Sequence, residues 1–279
     1  MALNLIAFDL DGTALDSGNR LTEGTVRALM KASLAGTEIV PVTGRCFEAL
    51  PEKLADMGRR GYIRFAITSN GAETRNLKTG DIVSGNYISP EGAAEIKKAL
   101  DDMDVMTEVY VKGKAFIEKN WYRKLEEGDI PYRDREYVLE TRIPVMGVKQ
   151  LLSVHEDRIE KVAVYFDSRF DRGRTKEALK SIRNARVTSS GRNNAEMIGK
   201  TCGKADALRG LCRMLGIPMK EVMAAGDNEN DLDMLKAAGF SVVMGNADES
   251  IKEHGDYVTE DNDHDGLARA INMKEALGK

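Results

Sequence analysis

Residues 3–13, Leu3-Asn4-Leu5-Ile6-Ala7-Phe8-Asp9-Leu10-Asp11-Gly12-Thr13, place two carboxylates directly after a short apolar run. The run predicts a buried β-strand, and Asp9 and Asp11 stand where that strand ends. Because side chains alternate along a strand, we expect both carboxylates on one side of the chain end, while Gly12 lets the backbone turn away. Two like charges at short range favour a shared proton or a bound cation. The stretch therefore predicts a functional strand end.

The residues that follow continue the alternation of helix and strand. Helical spacing over about 22–35 precedes a strand over 38–42, and a further helix leads to a strand over 63–67. These two strands end on the polar triplets 43–45 and 69–71. Such spacing predicts right-handed crossovers and a doubly wound parallel sheet, an α/β fold with functional residues at the carboxyl ends of its strands.

The middle of the chain has a different pattern. A helix over about 90–100 precedes two strands, 105–111 and 115–118, that form a hairpin around Lys112-Gly113-Lys114. Hairpins mixed with helices predict a separate α+β domain spliced into the parallel one. We place the inserted domain at residues 85–191 and the catalytic core at residues 1–84 and 192–279.

From Lys204 the first pattern resumes, with an amphipathic helix to about residue 215 and a strand over 221–225. That strand runs into Gly226-Asp227-Asn228-Glu229-Asn230-Asp231, a second acidic strand end. If the two acidic strand ends are neighbours, Asp227 and Asp9 lie at the same edge of the sheet.

Composition restricts the function classes. The chain has 279 residues, of which 42% are hydrophobic and 31% charged, as in ordinary globular proteins. A net charge of −4 provides no basic surplus for a nucleic-acid backbone, so we predict no nucleic-acid partner. No apolar stretch is long enough for a membrane span, and we expect neither a membrane partner nor a secretory leader. The sequence carries no signal for an oligomeric state.

The cysteines indicate a reducing compartment. Cys46, Cys202 and Cys212 are odd in number and have no CxxC spacing, which argues against a disulfide framework or a zinc site. We therefore predict a cytoplasmic protein.

The acidic strand ends fit phosphoryl chemistry. Mg²⁺ prefers oxygen ligands and usually takes one or two carboxylates, waters and substrate phosphate oxygens, which Asp9 and Asp227 could provide in part. One Asp of the first pair can attack phosphorus, and the other can protonate the leaving oxygen. Positive charge and hydrogen-bond donors are also needed around the transferring group, and Thr43 and Lys204 are the candidates.

Six short motifs, in this order, resemble those of the haloacid-dehalogenase-like (HAD) phosphatases, specifically the Cof-type hydrolases with a large α+β cap. The resemblance spans the whole chain. The motifs are Asp9-Leu10-Asp11-Gly12-Thr13, Val42-Thr43-Gly44-Arg45, Ser69-Asn70-Gly71-Ala72, Gly203-Lys204, Gly226-Asp227-Asn228-Glu229-Asn230-Asp231 and Met244-Gly245-Asn246-Ala247. Each is moderately specific alone, but six in order are not expected by chance.

The resemblance implies a Mg²⁺-dependent phosphomonoester hydrolase for small phosphorylated metabolites such as sugar phosphates. It implies that Asp9 forms an aspartyl-phosphate and that Asp11 acts first as acid and then as base. Asp9, Asp227 and the backbone carbonyl of Asp11 would bind Mg²⁺, with Asn230 and Asp231 orienting these ligands from outside.

The remaining implied contacts concern the substrate. The residues that would hold the phosphoryl group are Gly12, Thr13, Thr43, Gly44, Lys204 and Asn246. Those that we expect near the rest of the substrate are Arg45, Asn70, Arg192 and Asn194. One departure from the family pattern is Pro41, which lacks an N–H in an expected interior strand and predicts a distortion beside Thr43.

Other functions share these residues. A phosphomutase or phosphotransferase would use the same aspartyl-phosphate with a sugar hydroxyl as acceptor, and a phosphate-binding regulator would bind without turnover. A signalling receiver domain is disfavoured, because its phosphorylated Asp ends the third strand, whereas here that strand ends on Ser69-Asn70-Gly71.

Two further patterns resemble unrelated motifs. Gly199-Lys200-Thr201 lacks the earlier glycine of a P-loop, whose place Asn194 takes. Asp261, Asp263 and Asp265 match the first half of an EF-hand loop, but Asn272 stands where a bidentate Glu is required. We expect residues 261–266 to form a polar loop that lines the core site.

Overall fold

The structure, a computed structural model, describes residues 3–101, 103–131, 134–155, 157–167 and 172–277. Its strands are β1 (Leu5–Phe8), β2 (Glu38–Pro41), β3 (Phe65–Thr68), β4 (Glu73–Asn76), β5 (Ile82–Gly85), β6 (Met106–Val111), β7 (Lys114–Glu118), β8 (Arg142–Val145), β9 (Ile159–Tyr165), β10 (Ala185–Thr188), β11 (Asn194–Gly199), β12 (Val222–Gly226), β13 (Phe240–Val243) and β14 (Tyr257–Val258). Its α-helices are α1 (Glu23–Leu34), α2 (Glu52–Arg59), α3 (Pro90–Asp101), α4 (Lys119–Glu127), α5 (Arg135–Thr141), α6 (Leu151–Val154), α7 (Arg172–Leu179), α8 (Lys204–Leu215), α9 (Leu232–Ala237), α10 (Glu249–Lys252) and α11 (Gly266–Leu277).

The chain folds into two compact units. The first comprises Met1–Gly44, Leu50–Gly85 and Gly203–Lys279, and the second comprises Arg45–Ala49 and Asn86–Cys202. The second unit therefore includes two segments that the sequence prediction assigned to the core. Residues 194–199 belong to it because β11 pairs antiparallel with β9. Residues 45–49 belong to it because Cys46 and Ala49 are buried in its apolar cluster.

A five-stranded parallel sheet forms the centre of the first unit, in the order β14-β13-β12-β1-β2. Leu5 and Ala7 point to one face, where they pack with Leu208 and Leu211 of α8. On the other face α1 lies against β2 and α11. Helices on both faces bury both sides of the sheet, and the predicted doubly wound α/β fold is confirmed.

Pro41 changes how β3 joins this sheet. Val42 N–H donates to Phe8 O of β1, whereas Thr43 N–H donates to Ile67 O of β3. By strand alternation the missing N–H of Pro41 falls on the β3 side. Parallel pairing between these two segments is limited to one bridge, Val42 to Ile67, and β3 pairs antiparallel with β4 in a three-stranded sheet that also contains β5. The distortion expected beside Thr43 is thus a shortened ladder.

The second unit is built on a six-stranded sheet in the order β10-β11-β9-β6-β7-β8, antiparallel except between β7 and β8. The predicted hairpin is present, since β6 and β7 pair around Lys112 and Gly113, both at positive φ. Apolar side chains of α3, α6 and α7 form one cluster on this sheet, and those of α4 and α5 contribute to another. This is the predicted α+β domain.

Candidate active site

The carboxyl ends of β1 and β12 lie side by side and carry the two acidic motifs. Phe8 is in register with Ala225, and the next residue, Asp9, donates its N–H to Ala225 O at 3.0 Å. Gly226 ends β12, so Asp227 follows at the same edge. Parallel pairing therefore brings together residues that are more than two hundred positions apart, as the sequence predicts.

Residues 10–14 form one wide turn after Asp9, closed by Leu15 N–H on Leu10 O at 2.9 Å. Gly12 has φ +78°, and a Cβ there would lie 2.5 Å from Asp227 Oδ2, so only glycine fits. Thr13 Oγ1 donates to Asp227 Oδ1 at 3.0 Å. The turn thereby docks against Asp227, while the side chain of Asp11 is exposed to solvent.

Lys204, the first residue of α8, connects the two acidic motifs. Its Nζ donates to Asp9 Oδ1 at 2.5 Å and to Asp231 Oδ1 at 2.6 Å. The lysine is only 2% exposed and Asp9 6%. Burial alone would lower the pKa of Lys204, but Asp231 and Asp9 outweigh it and raise that pKa above its ordinary value. Lys204 is a permanent cation between two carboxylates.

Two carboxyl groups of the site are hard to ionise. Burial, together with the neighbouring charges of Asp231, Asp227 and Asp11, raises the pKa of Asp9 well above its ordinary value, although Lys204 opposes this. Burial, with Asp231 next in size, raises the pKa of Asp227 to about 7. The site therefore has more negative charge than Lys204 can balance.

Asp231 organises the loop that follows β12. Its Oδ2 accepts the N–H groups of Asp227 and Asn228, each at 3.1 Å, while its Oδ1 bonds Lys204. Both oxygens are thus engaged, which suits a residue that orients Asp227. Asn230 Nδ2 donates to Asn70 Oδ1 at 3.2 Å. Among the described residues, Asn230 Oδ1 is one of the few buried polar atoms without a hydrogen-bond partner.

The turn after β3 packs against the start of α8. All three residues of this turn, Ser69, Asn70 and Gly71, have positive φ. Such a run is unusual because Ser69 and Asn70 are not glycines, and residues with a Cβ seldom adopt positive φ. Asn70 N–H donates to Thr43 O at 2.9 Å, and a Cβ on Gly71 would lie 2.3 Å from Gly203 O. The turn therefore links the Thr43, Asn230 and Lys204 motifs. Of the residues in this turn, only Asn70 was predicted from the sequence to lie near the substrate. The turn itself has a sequence signal, because Asn-Gly after a strand is typical of a turn with positive φ.

Two other residues that were predicted to hold the phosphoryl group, Thr43 and Asn246, lie in the first unit. Thr43 is fully buried in the first unit, whose first segment ends at Gly44. Asn246 Nδ2 donates to Gly12 O at 2.9 Å, so it contacts the turn over residues 10–14.

Three predicted substrate residues belong to the second unit. The guanidinium of Arg45 lies 4.3 Å from the ring centroid of Tyr137. The side chain of Asn194 bonds Ser189 Oγ and Ser190 Oγ within its own turn, and Arg192 is exposed. A substrate role for these residues stays a prediction.

The chain matches a known protein family over most of its length. The family described as haloacid dehalogenase-like hydrolase matches residues 6–271. The chain belongs to this family. The six-motif resemblance to HAD phosphatases is thereby confirmed, and so is the prediction of an enzyme.

Relatives in this family span the whole chain. A 5-amino-6-(5-phospho-D-ribitylamino)uracil phosphatase of Bacillus subtilis is 29% identical over 96% of this chain and 94% of its own. A phosphoglycolate phosphatase of Methanobrevibacter smithii is 30% identical over 97% of this chain and 98% of its own. Among solved structures, a HAD subclass IIB sugar phosphatase superposes with TM-score 0.81 at 24% identity, covering 98% of this chain and 99% of that one.

The HAD-like site fits a divalent cation. Asp9, Asp227 and Asp231 each offer an oxygen, and these oxygens lie within 4.8 Å of one another. Carboxylates are the donors that hard cations prefer, and a cation there would offset the burial and the repulsion that raise the pKa of Asp9 and of Asp227. The unpartnered Asn230 Oδ1 could accept from a water on the ion.

None of the described helices has the length and apolar character that a membrane crossing requires. The cytoplasmic location predicted from the cysteines stays a prediction.

Proposed function

We propose that the protein is a Mg²⁺-dependent phosphomonoester hydrolase that works through an aspartyl-phosphate on Asp9. The observation that carries this proposal is the placement of Lys204 Nζ between Asp9 and Asp231, beside Asp227. One fixed cation and three carboxylates at a strand end are suited to bind a phosphate dianion only when a second, divalent cation completes the charge balance.

In the proposed first step, an oxygen of Asp9 attacks the phosphorus and the bond from phosphorus to the leaving oxygen breaks. Asp11, on the exposed face of the adjacent turn, donates its proton to that leaving oxygen. Lys204 holds Asp9 in place. The backbone N–H groups of Gly12 and Thr13, together with Thr43, donate hydrogen bonds to the phosphoryl oxygens.

In the second step, water attacks the phosphorus of the aspartyl-phosphate, Asp11 accepts a proton from that water, and the bond to Asp9 breaks to release inorganic phosphate. Asp9, Asp227 and the carbonyl of Asp11 would hold Mg²⁺, and its charge would stabilise the phosphoryl oxygens. Asp231 and Asn230 orient these ligands, consistent with the two N–H groups that Asp231 accepts.

The substrate class rests on what the relatives share. The substrates named for these relatives include a ribitylaminouracil phosphate, phosphoglycolate and sugar phosphates, which have in common a phosphate monoester on a small polar carbon skeleton. We therefore propose small phosphorylated metabolites, sugar phosphates among them, with the second unit selecting the leaving group.

The test is Asp9→Asn, assayed for phosphate release from p-nitrophenyl phosphate and from a panel of sugar phosphates, with Mg²⁺ and with EDTA. Because the variant lacks the attacking oxygen, we expect kcat to fall by at least about 10³-fold. Asp56→Asn, which changes a half-exposed carboxylate on α2, is the matched control and keeps full activity.

Unchanged turnover by Asp9→Asn would refute the nucleophile assignment, and full activity in EDTA would refute the metal. Isomerised sugar phosphate without free phosphate would instead identify a mutase.

A further inference from the structure

An acid-rich segment spans residues 261–265, Asp261-Asn262-Asp263-His264-Asp265. Its side chains form hydrogen bonds with other residues of the protein. Asp261 accepts the N–H groups of Asp263 and His264, each at 3.0 Å, and so closes the turn before α11. The three residues Asn262, Asp263 and Asp265 reach a distant part of the sequence. We call residues 261–265 the docking segment.

Each of these three side chains forms hydrogen bonds to residues just beyond the turn over residues 10–14. Asn262 Nδ2 donates to Leu15 O at 2.9 Å. Asp263 accepts Ser17 N–H at 2.8 Å and Ser17 Oγ–H at 2.6 Å, and Asp265 accepts Thr22 Oγ1–H. The docking segment therefore anchors the chain at three successive points after the turn that carries Asp11.

Between these anchors the chain forms a small closed hairpin. Leu15 pairs with Leu21, and Asp16 N–H donates to Arg20 O at 3.0 Å. Such a short hairpin has little core of its own, since residues 17–20 are exposed. Its orientation is therefore set by what holds its base, and Asn262 bonds that base directly at Leu15.

Asn262 also acts through Asn246. Its backbone N–H donates to Asn246 Oδ1 at 3.2 Å, and Asn246 Nδ2 donates to Gly12 O at 2.9 Å. The two carboxamides thus hold the carbonyls of Gly12 and Leu15, on either side of Thr13. A Cβ on Gly12 would already lie 2.5 Å from Asp227, so the turn has little freedom to shift.

We propose that Asn262 is a positioning residue that fixes the turn bearing Asp11 and Gly12, so that the Asp11 carboxyl faces the leaving oxygen. This inference rests on the proposed function, in which Asp11 is the general acid. The side chain of Asn262 donates to the backbone carbonyl of Leu15, and its N–H reaches the turn through the side chain of Asn246.

The variant Asn262→Asp tests this role with a side chain of the same size. It removes the Nδ2–H donor to Leu15 O and keeps the backbone N–H that bonds Asn246. Asn272→Asp, on the exposed side of α11, makes the same change of charge and is the control.

The readout is kcat/KM, which reports formation of the aspartyl-phosphate, for two substrates. An alkyl phosphate such as glycerol phosphate needs a proton on its leaving oxygen, whereas p-nitrophenyl phosphate has a leaving group that departs without one. We expect Asn262→Asp to lose about tenfold with the alkyl phosphate, the effect of one lost hydrogen bond, and less than about threefold with the aryl phosphate. The control should change neither value.

Hydrogen exchange without substrate provides a second readout. We expect the amides of residues 10–15 to exchange faster in Asn262→Asp and unchanged in Asn272→Asp. Equal losses with both substrates, or unchanged exchange over 10–15, would overturn the positioning role. An inactive wild-type protein would refute the proposed function instead, and the exchange result would still decide whether Asn262 holds the turn.

Discussion

Replacing Asp227 with Asn should stabilise the metal-free protein while it abolishes activity. Asp227 lies beside Asp9 and Asp231 in a buried cluster, and its pKa is raised from 3.8 to about 7. Burial is the largest cause of this rise and the negative charge of Asp231 the next. Unfolding removes both, so the native carboxylate opposes folding at neutral pH. Asn has no charge to desolvate, and its Oδ1 can still accept the hydrogen bond from Thr13.

The magnitude follows from the pKa. At about 1.4 kcal/mol for each tenfold change in the proton equilibrium, a rise from 3.8 to about 7 corresponds to about 4 kcal/mol. Asp227 is only partly shielded from solvent, so we expect about half of this, or about 2 kcal/mol, which raises the thermal midpoint by on the order of 5 °C.

The pH dependence has a definite sign. Below pH 3.8, the ordinary pKa, the carboxyl is protonated in both states and contributes no loss of stability. As pH rises from there to about 7, the unfolded chain releases the proton first and the free energy of unfolding falls. The advantage of Asp227→Asn should therefore be largest at pH 8 and disappear by about pH 4.

The assay is thermal unfolding of both proteins in EDTA at pH 8 and pH 4, with Asp56→Asn as the control for a surface charge. Adding Mg²⁺ should stabilise the wild type and leave Asp227→Asn unchanged, since a ligand stabilises only the state that binds it. A variant that is less stable than wild type in EDTA at pH 8 would refute the reasoning.

Two further predictions concern glycine and cysteine residues. Gly71→Ala should cost at least about 2 kcal/mol and lower kcat about tenfold or more, because its Cβ would displace Gly203 beside Lys204. Gly61→Ala is the control, since Gly61 also has positive φ but an added Cβ would point into open space, so the variant should lose only about 1 kcal/mol and stay active. Denaturant titration and kcat compare the two variants. Equal effects would contradict the role of Gly71. Burial raises the pKa of Cys46 and of Cys212 from 9.0 to about 11, so both thiols should resist a disulfide reagent at pH 8 until the protein unfolds. The free energy of unfolding should then decline between pH 9 and pH 11 as unfolded thiols ionise first; rapid labelling of the native protein would contradict this.

The core elements could be read from the sequence because their patterns are strong. The helix α8 has an apolar stripe, and β1 and β12 are apolar runs that stop at acidic motifs. These patterns predict a sheet edge with Asp9 and Asp227 together, which the structure shows. Each of these patterns is local in the sequence, so it can be recognised without knowing which distant residues it contacts.

The strands β4 and β5 were not predicted, for a physical reason. The residues of β4, Glu73-Thr74-Arg75-Asn76, are polar, and those of β5 are exposed, so neither has the alternation of a half-buried strand. Their pairing depends on β3, which Pro41 leaves with only one bridge to β2.

The role of Asn262 was also beyond the sequence pattern. Its side chain bonds the carbonyl of Leu15. Every residue has a backbone carbonyl, so this contact does not require any particular amino acid at position 15 and cannot be read from the sequence. The polar loop expected at 261–266 was therefore predicted only as a loop near the core site, without its contacts to the hairpin.

The pairing of β1 with β12 has a consequence for biosynthesis. Leu5 is in register with Val222, so the strand that leads to Asp9 lacks this neighbour until the chain has been synthesised past residue 222. Most of the second unit, Asn86–Cys202, is contiguous and is translated before that point. A nascent chain can therefore complete its inserted domain while Asp9 still has neither Lys204 nor Asp227 beside it, and chains truncated before β12 should lack a catalytic centre.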